Sequence, residues 1–221
     1  GPIAGGKIDA TARYGVKDWH QWTLQQSPIA LRKSAYDEES TSGELGLTYT
    51  RPLKPKWTLE SRLIHEFEEF DNVATSRNRE ADIEEPIQRF AATGDSSETI
   101  LRGLLRFERS AALEFEGGGE IAYNMLEVEQ AYSVGGTPIP LPSASVKVEE
   151  TRGELFGKAT WRINPKWTLE GGLRLESSTI SQSGDAEQEK SFVYAKPRLL
   201  TTWTPTAGAQ VRLRIERTVG Q

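Results

Sequence analysis

The sequence predicts an all-β protein, an antiparallel up-and-down meander of about ten strands whose two sheet faces meet different environments. Three observations predict this fold. Apolar and polar residues alternate with period two over much of the chain, as they do along strands. Short polar turns containing proline or glycine separate the alternating segments. The hexapeptide Pro-Lys-Trp-Thr-Leu-Glu occurs twice, at residues 55–60 and 165–170, and opens an alternating segment each time.

The second hexapeptide shows the alternation most clearly. After it, the chain continues to alternate between an apolar face and a polar face. The apolar face carries Trp167, Leu169, Gly171, Leu173 and Leu175, and the polar face carries Thr168, Glu170, Gly172, Arg174 and Glu176. A strand that crosses a bilayer around a wet interior needs an aromatic residue at the start of its apolar face and a charged opposite face. We therefore expect a membrane-spanning strand here.

The other elements follow in order along the chain. The predicted strands lie at 6–15, 22–25, 44–49, 57–67, 101–108, 113–123, 152–162, 167–176, 196–203 and 211–216. Short turns are predicted at 17–18, 54–56, 110–111, 164–166 and 205–208, a polar loop at 34–42, and long loops at 68–97, 127–147 and 177–191. Short and long connections alternate in most of the chain, so the sheet has one smooth end and one elaborate end. The two hexapeptides then open strands that run in the same direction.

Aromatic residues recur on the apolar face beside the predicted short turns. They are Tyr14, Trp22, Tyr49, Trp57, Phe107, Phe115, Trp161, Trp167 and Trp203. Tryptophan and tyrosine concentrate at membrane–water interfaces, so we expect these rings to form an aromatic girdle at one membrane face.

Charged residues recur on the opposite face, where cations and carboxylates interleave and can pair across neighbouring strands. The candidate lumen-facing residues are Arg102, Arg106, Arg152, Glu154, Lys158, Glu170, Arg174, Glu176, Arg198, Arg212 and Arg214. A soluble β-sandwich also alternates. However, the apolar face here uses Gly, Ala and Thr freely, as lipid contact allows, in place of the large side chains of a close-packed core.

Composition excludes several classes. The chain of 221 residues contains no cysteine, so it has no disulfide framework, no thiolate zinc site and no cysteine nucleophile. Its net charge of −5 argues against nucleic acid or an anionic membrane surface as a partner. No apolar run reaches the roughly 20 residues of a membrane helix, although membrane strands alternate and give only a weak hydropathy signal.

The two ends of the chain predict an excised piece. Residues 1–6 lack the basic start and apolar core of a signal peptide. Residues 217–221 follow a strand-like run without a closing turn. We therefore expect the whole chain, residues 1–221, to be one part of a β-barrel domain in a longer protein.

Other candidate sites are weaker. The two histidines, His20 and His65, lie far apart, and His65 is better explained as an interface residue on the apolar face than as a metal ligand. The acidic run at 66–71 lacks calcium-loop spacing. The glycines at 117–119 precede no helix pattern, and the proline-rich run at 138–142 fits a stiff loop entry. No grouping of Ser, His and Asp points to catalysis, and we expect no cofactor and no bound metal.

Four stretches in the C-terminal third carry a family resemblance. They are Val-Glu-Glu-Thr-Arg-Gly-Glu-Leu at 148–155, Trp-Thr-Leu-Glu-Gly-Gly-Leu-Arg-Leu-Glu at 167–176, Lys-Pro-Arg-Leu at 196–199, and Arg-Leu-Arg followed by Glu-Arg between 212 and 217. In this order and spacing they resemble the barrel domain of TonB-dependent outer-membrane receptors. Such receptors are closed barrels of 22 strands with a plug in the lumen. The resemblance implies a little under half of that barrel, without the plug and the terminal strands.

The resemblance also implies a function, which is energy-coupled uptake of a scarce solute across the outer membrane of a Gram-negative cell. The solute would be a siderophore-bound iron, a vitamin or an oligosaccharide. The implied partners are outer-membrane lipid, the plug domain, the TonB energy-coupling complex and the solute. Long loops would then be extracellular and short turns periplasmic.

Several alternatives stay open at this point. The inner charges would either brace the plug or attract an anionic ligand. A porin-like or structural barrel without a plug is the second functional class, and a soluble extracellular β-sandwich or adhesin is the third.

Overall fold

The computed structural model describes residues 2–80 and 83–219 as one open antiparallel sheet. Its strands are β1 (Pro2–Ile3), β2 (Gly6–Gln26), β3 (Ala30–Lys54), β4 (Trp57–Glu80), β5 (Ile83–Glu84), β6 (Gln88–Ser110), β7 (Leu113–Val134), β8 (Thr137–Ile139), β9 (Ser145–Asn164), β10 (Trp167–Gly184), β11 (Gln188–Thr206) and β12 (Ala209–Glu216). Neighbours follow the order β1-β2-β3-β4-β6-β7-β9-β10-β11-β12, while β5 pairs with β4 and β8 with β7. The predicted all-β meander is confirmed. No helix among the described residues is long and apolar enough to cross a membrane.

The two hexapeptides open β4 and β10, which run in the same direction as predicted. The turns before these strands differ. Pro55 and Lys56 form a two-residue turn in which Lys56 has a φ of 75°, as the second central position of a type II turn requires. Before β10, the Oδ1 atom of Asn164 accepts hydrogen bonds from the backbone N–H groups of Lys166 and Trp167, at 2.9 and 3.0 Å. The residue that precedes the hexapeptide, Lys54 or Asn164, therefore changes the conformation of the turn although the hexapeptide sequence is the same.

The long loops predicted from composition are mostly strand. At 68–97, β4 covers the start and β6 covers the end, and residues 81 and 82 lie outside the described part of the chain. The loops predicted at 127–147 and 177–191 shrink to connections at 135–144, which contains β8, and at 185–187. These predictions are wrong because backbone hydrogen bonds to both neighbours hold a strand even where its side chains are polar on both faces.

The turn predicted at Lys17 and Asp18 is also wrong. The strand β2 passes through both residues without a break, so the two short strands predicted at 6–15 and 22–25 are one. The polar loop predicted at 34–42 lies inside β3 in the same way. Lys17 contributes to this pairing through its Nζ atom, which lies 2.5 Å from Oε1 of Glu38.

The register assigns the side chains of the long strands to two faces, because residues opposite each other in a ladder share a face. We call the face that carries Trp57, Phe107, Phe115 and Leu173 the outer face, and the opposite one the inner face. The buried side chains, Ser40, Ala92, Ala122, Glu154, Glu176 and Ser178, all lie on the inner face. Side chains crowd together on this face, as expected for the inside of a curled sheet.

Burial in this sheet is the reverse of burial in a soluble core. Among the described residues, Ala92 and Ala122 are the only buried apolar side chains, whereas Glu154 and Glu176 are only 8% and 6% exposed. Large apolar side chains on the outer face remain open, and Val193 is 79% exposed. The sheet therefore buries charge and exposes hydrocarbon.

Candidate functional site

The inner face brings together the charged residues singled out in the sequence. The register puts every predicted lumen-facing residue on this face: Arg102, Arg106, Arg152, Glu154, Lys158, Glu170, Arg174, Glu176, Arg198, Arg212 and Arg214. They belong to five strands, β6, β9, β10, β11 and β12. Opposite charges on adjacent strands form a network of ion pairs across this part of the sheet.

Three glutamates form the centre of the network. Glu120, Glu154 and Glu176 lie directly opposite one another on β7, β9 and β10. Like charges placed opposite each other in a sheet are destabilising, so each carboxylate needs a nearby cation. The cations are Arg102 at 3.4 Å from Glu120, Arg174 at 3.3 Å from Glu154, and Lys196 at 2.8 Å from Glu176.

A fourth glutamate lies nearer the short turns. Glu116 contacts two cations, with Nζ of Lys158 at 2.6 Å and Nη2 of Arg106 at 2.9 Å. The Nε atom of Arg106 donates a further hydrogen bond of 2.9 Å to Glu116. This bridge ties β6, β7 and β9 together on the inner face.

The aromatic ring of Phe156 lies within this charged surface. The guanidinium carbon of Arg102 is 4.5 Å from the centre of the Phe156 ring and that of Arg174 is 5.9 Å from it. Gly118 is opposite Phe156 on β7. A Cβ atom at Gly118 would lie 2.8 Å from Cζ of the ring, so the missing side chain provides the space that the ring occupies. Phe156 thereby holds both arginines by cation–π contact.

The outer face carries the aromatic residues at the short-turn end. Trp57 stacks on Phe107 with ring centroids 4.4 Å apart, and Trp167 stacks on Trp203 at 5.7 Å. Trp161 lies four residues before the turn at 165–166. Tyr49 reaches the first turn, where its hydroxyl donates a hydrogen bond of 3.2 Å to the carbonyl oxygen of Ala4. These rings lie on one side of the sheet and at one end of it.

Tyr14 and Trp22 do not lie at the same end of the sheet as these rings, because the turn predicted between them is absent. Tyr14 is in the middle of β2, opposite Gly43. Trp22 is close to the other end of β2, near the connection at 27–29, and is 72% exposed. Both residues lie on the outer face with Trp57. The error concerns only their position along the strand, which was predicted from a turn that is absent.

The two histidines occupy separate places. His65 lies on the outer face, where its Nδ1 atom is 2.9 Å from Oγ1 of Thr99. His20 contacts Asp37 on the hairpin of β2 and β3. Within residues 2–80 and 83–219, no group of three or more histidine, aspartate or glutamate side chains is arranged to hold a metal ion.

Comparison with known proteins identifies the family. Residues 4–219 match the family model described as TonB dependent receptor-like, beta-barrel. The chain belongs to the TonB-dependent receptor family. Members of this family are transport receptors of Gram-negative outer membranes and are not enzymes. No curated protein matches the sequence.

Solved TonB-dependent receptors resemble the chain over part of their length. The siderophore receptor PiuA from Acinetobacter baumannii is 13% identical, with 89% of this chain and 43% of that one covered and a TM-score of 0.43. The closed form of the ferric-catecholate import receptor Fiu from E. coli K12 is 10% identical, with 96% of this chain and 50% of that one covered and a TM-score of 0.44. The ferripyoverdine receptor of Pseudomonas aeruginosa is 10% identical, with 97% of this chain and 42% of that one covered and a TM-score of 0.48. The chain thus spans half or less of these receptors.

Sequence reasoning missed three residues of the charged network on the inner face. Glu116 and Glu120 have the inner-face parity of β7, so counting every second residue on from Glu114 would have found them. Phe156 is different, because an apolar residue on a charged face gives no sequence signal. Only the register, which sets its ring opposite Gly118, shows its role.

Proposed function

We propose that this TonB-dependent receptor chain forms part of the barrel wall of an outer-membrane receptor for energy-coupled uptake of a scarce solute. The observation that carries the proposal is the reversed burial of the sheet. Glu154 and Glu176 are enclosed on the inner face while Leu155 on the outer face is 67% exposed. An exposed hydrocarbon face on a protein with a charged interior fits a lipid environment around a wet lumen.

The outer face supports this environment with an uncharged band. On β7 this band runs from Phe115 to Met125, and its outer-face residues include no Asp, Glu, Lys or Arg. On β6 the corresponding segment is 97–107, and on β9 it is 151–161. About ten residue steps of roughly 3.3 Å, tilted by roughly 40°, give a height of about 25 Å, which matches the apolar band of outer-membrane barrels.

Polar side chains mark the end of the uncharged band away from the short turns. His65 and Thr99 contact each other there on β4 and β6, and Oγ1 of Thr179 lies 2.9 Å from Oγ of Ser191 on β10 and β11. Tyr123 donates a hydrogen bond to Glu149. This placement supports headgroup contact for these side chains, with the aromatic residues at the short-turn end forming the periplasmic girdle.

The strands continue beyond the uncharged band, and charged residues appear on the outer face there. Glu69, Asp95 and Glu127 lie opposite one another on the outer face there. The strand extensions would project on the extracellular side. The remaining partners of the proposal are a plug domain in the lumen, the TonB complex and the transported solute, with the inner ion pairs facing the plug.

The test uses the absence of cysteine from the chain. Single cysteines are placed at Leu155 and at its neighbour Phe156 in the complete gene product, and each carries a nitroxide spin label in lipid vesicles. We expect oxygen, which concentrates in lipid, to relax the label at 155 and a water-soluble nickel chelate to relax the label at 156. Equal exposure of both labels to the nickel chelate would contradict membrane insertion.

Energy coupling is tested separately in cells. Expression of the complete gene is first compared under iron starvation and on single carbon sources, to find the solute that induces it. Uptake of that solute is then measured with and without an uncoupler that removes the proton gradient. Uptake that stops with the uncoupler supports a TonB-dependent receptor. Uptake that continues unchanged identifies a passive, porin-like barrel.

A further inference from the structure

We propose that the inner face of β2, β3, β4, β6 and β7, near the ends remote from the short turns, binds a neutral, hydroxyl-rich ligand such as a saccharide. The inference rests on the proposed function and names the class of solute. Its centre is a row of four side chains opposite one another, Tyr36, Ala74, Phe90 and Tyr132. We call this row and the polar row beside it the aromatic patch.

The aromatic patch has a gap at its centre. Tyr36 and Phe90 belong to strands on either side of β4, so they are about 10 Å apart. Ala74 is between them and has only a methyl group. A cavity of about 280 Å³ lies there, and Tyr36, Ala74, Phe90 and Tyr132 are among the residues that line it. The gap has room for a sugar ring beside the side chains of Tyr36 and Phe90.

The polar row of the patch supplies hydrogen-bonding groups without charge. Thr23, Ser34, Ser76 and Gln88 lie opposite one another in the next row of the inner face, and all four line the cavity. Hydroxyl and amide groups both donate and accept hydrogen bonds. They therefore match ligand hydroxyl groups, which also do both.

Charge decides the class of ligand. Arg32 is the one charged residue among those that line the cavity. The inner face near the short turns is different, because Glu116, Glu120, Glu154 and Glu176 and their cations occupy it. A multiply charged anionic chelate would need several cations for its desolvation. A ligand with apolar ring faces and many hydroxyl groups needs the aromatic rings and uncharged polar groups that the patch provides.

The test uses the complete gene product purified in detergent. Binding of short neutral oligosaccharides is screened on a glycan array and measured by calorimetry, with ferric citrate as an anionic comparison. We expect at least one neutral oligosaccharide to bind and ferric citrate not to. Ala74→Leu, which fills the gap, and Phe90→Ala, which removes one ring, should each lower that affinity by about tenfold or more.

The control is Ala91→Leu, which adds the same side chain on the outer face of β6 next to Phe90. It should leave affinity unchanged. Three results would overturn the inference: no neutral oligosaccharide bound, affinity unaffected by both patch variants, or loss of folded protein with Ala74→Leu but normal affinity in what remains. The last result would mean that another protein segment covers the patch. Spin-label accessibility and uncoupler sensitivity are measured independently, so a failure here leaves the proposed uptake function standing.

Discussion

The indole ring of Trp167 is stacked on that of Trp203, with 5.7 Å between ring centroids and an angle of 19° between their planes. The two residues are opposite each other on β10 and β11, at the short-turn end of the outer face. Trp57 and Phe107 have the corresponding arrangement on β4 and β6. The repeated hexapeptide thus places a tryptophan beside an aromatic partner in both copies.

This stack predicts a coupling energy between Trp167 and Trp203. Aromatic pairs contribute about 0.5–1.5 kcal/mol beyond the area that they bury. A double-mutant cycle with Trp167→Ala and Trp203→Ala should show that amount by guanidinium unfolding in vesicles. Trp57→Ala combined with Trp203→Ala is the matched control, because residues without contact add independently. A coupling energy near zero for the first pair would show that the stack is not a stabilising contact.

The ion pair between Glu176 and Lys196 predicts an asymmetric response to mutation. The Glu176 side chain is only 6% exposed, while that of Lys196 is 22% exposed. Lys196→Met removes the nearby cation from an enclosed carboxylate and should cost about 2 kcal/mol of unfolding free energy. Glu176→Gln removes the charge but keeps an acceptor oxygen, so it should cost less. Lys190→Met is the exposed control, and equal losses for all three variants would refute the prediction.

Gly118 predicts a strong response to a single added methyl group. A Cβ atom there would lie 2.1 Å from the carbonyl oxygen of Gly103 and 2.8 Å from Cζ of Phe156. Gly118→Ala should therefore lower the unfolding free energy by about 1–3 kcal/mol. Gly153→Ala on β9 is the control, because no atom lies within 4 Å of its added Cβ. Phe156→Ala should fail to rescue Gly118→Ala, since the backbone contact with Gly103 remains.

The uncharged band predicts a cost for charge that depends on position. Leu155 lies near the middle of the band on β9, and Glu149 lies just beyond the end of it. Leu155→Arg should cost about 2–4 kcal/mol in vesicles, as a lipid-facing arginine does at the middle of a bilayer. Glu149→Arg should cost less, about 1 kcal/mol or below, because it removes only the hydrogen bond from Tyr123 and a partly exposed ion pair with Lys147. Vesicle refolding yields and unfolding midpoints measure both, and similar effects at the two sites would place the bilayer elsewhere.

The sequence reveals the strand segments whose two faces meet different surroundings, but it does not reveal how far each strand extends beyond them. Trp167, Leu169 and Leu173 alternate with charged or polar neighbours because one face is apolar, so β10 is found correctly. Glu69 and Asp95 are equally part of strands, opposite each other on β4 and β6. Both faces are polar there, so alternation disappears while the backbone ladder continues. Periodicity reports the environment of side chains, whereas the ladder is held by backbone groups that every residue carries.

Contacts between distant strands were beyond sequence reasoning for a different reason. Parity assigns Arg102 and Arg174 to one face, but parity does not give the register between strands. The approach of both arginines to Phe156 depends on that register and on the missing side chain at Gly118. A shift of one residue would turn Phe156 to the other face. The candidate site was therefore predictable as a list of charges but not as a network.

The two copies of the hexapeptide predict opposite responses to the same mutation. Lys56 has a φ of 75°, a conformation that glycine adopts without strain. Lys56→Gly should therefore raise the unfolding free energy, by about 0.5–1 kcal/mol, even though it removes the hydrogen bond of 2.9 Å from Nζ of Lys56 to the carbonyl oxygen of Arg109. That bond is exposed and contributes little.

The second copy differs, because the φ of Lys166 is not positive and the side chain of Asn164 stabilises the turn through its hydrogen bond to the N–H group of Lys166. Lys166→Gly should lower stability by a similar amount, because glycine loses more backbone freedom on folding. Unfolding midpoints of the two variants in the same vesicles should shift in opposite directions, and a shift of the same sign would show that the two turns share one conformation.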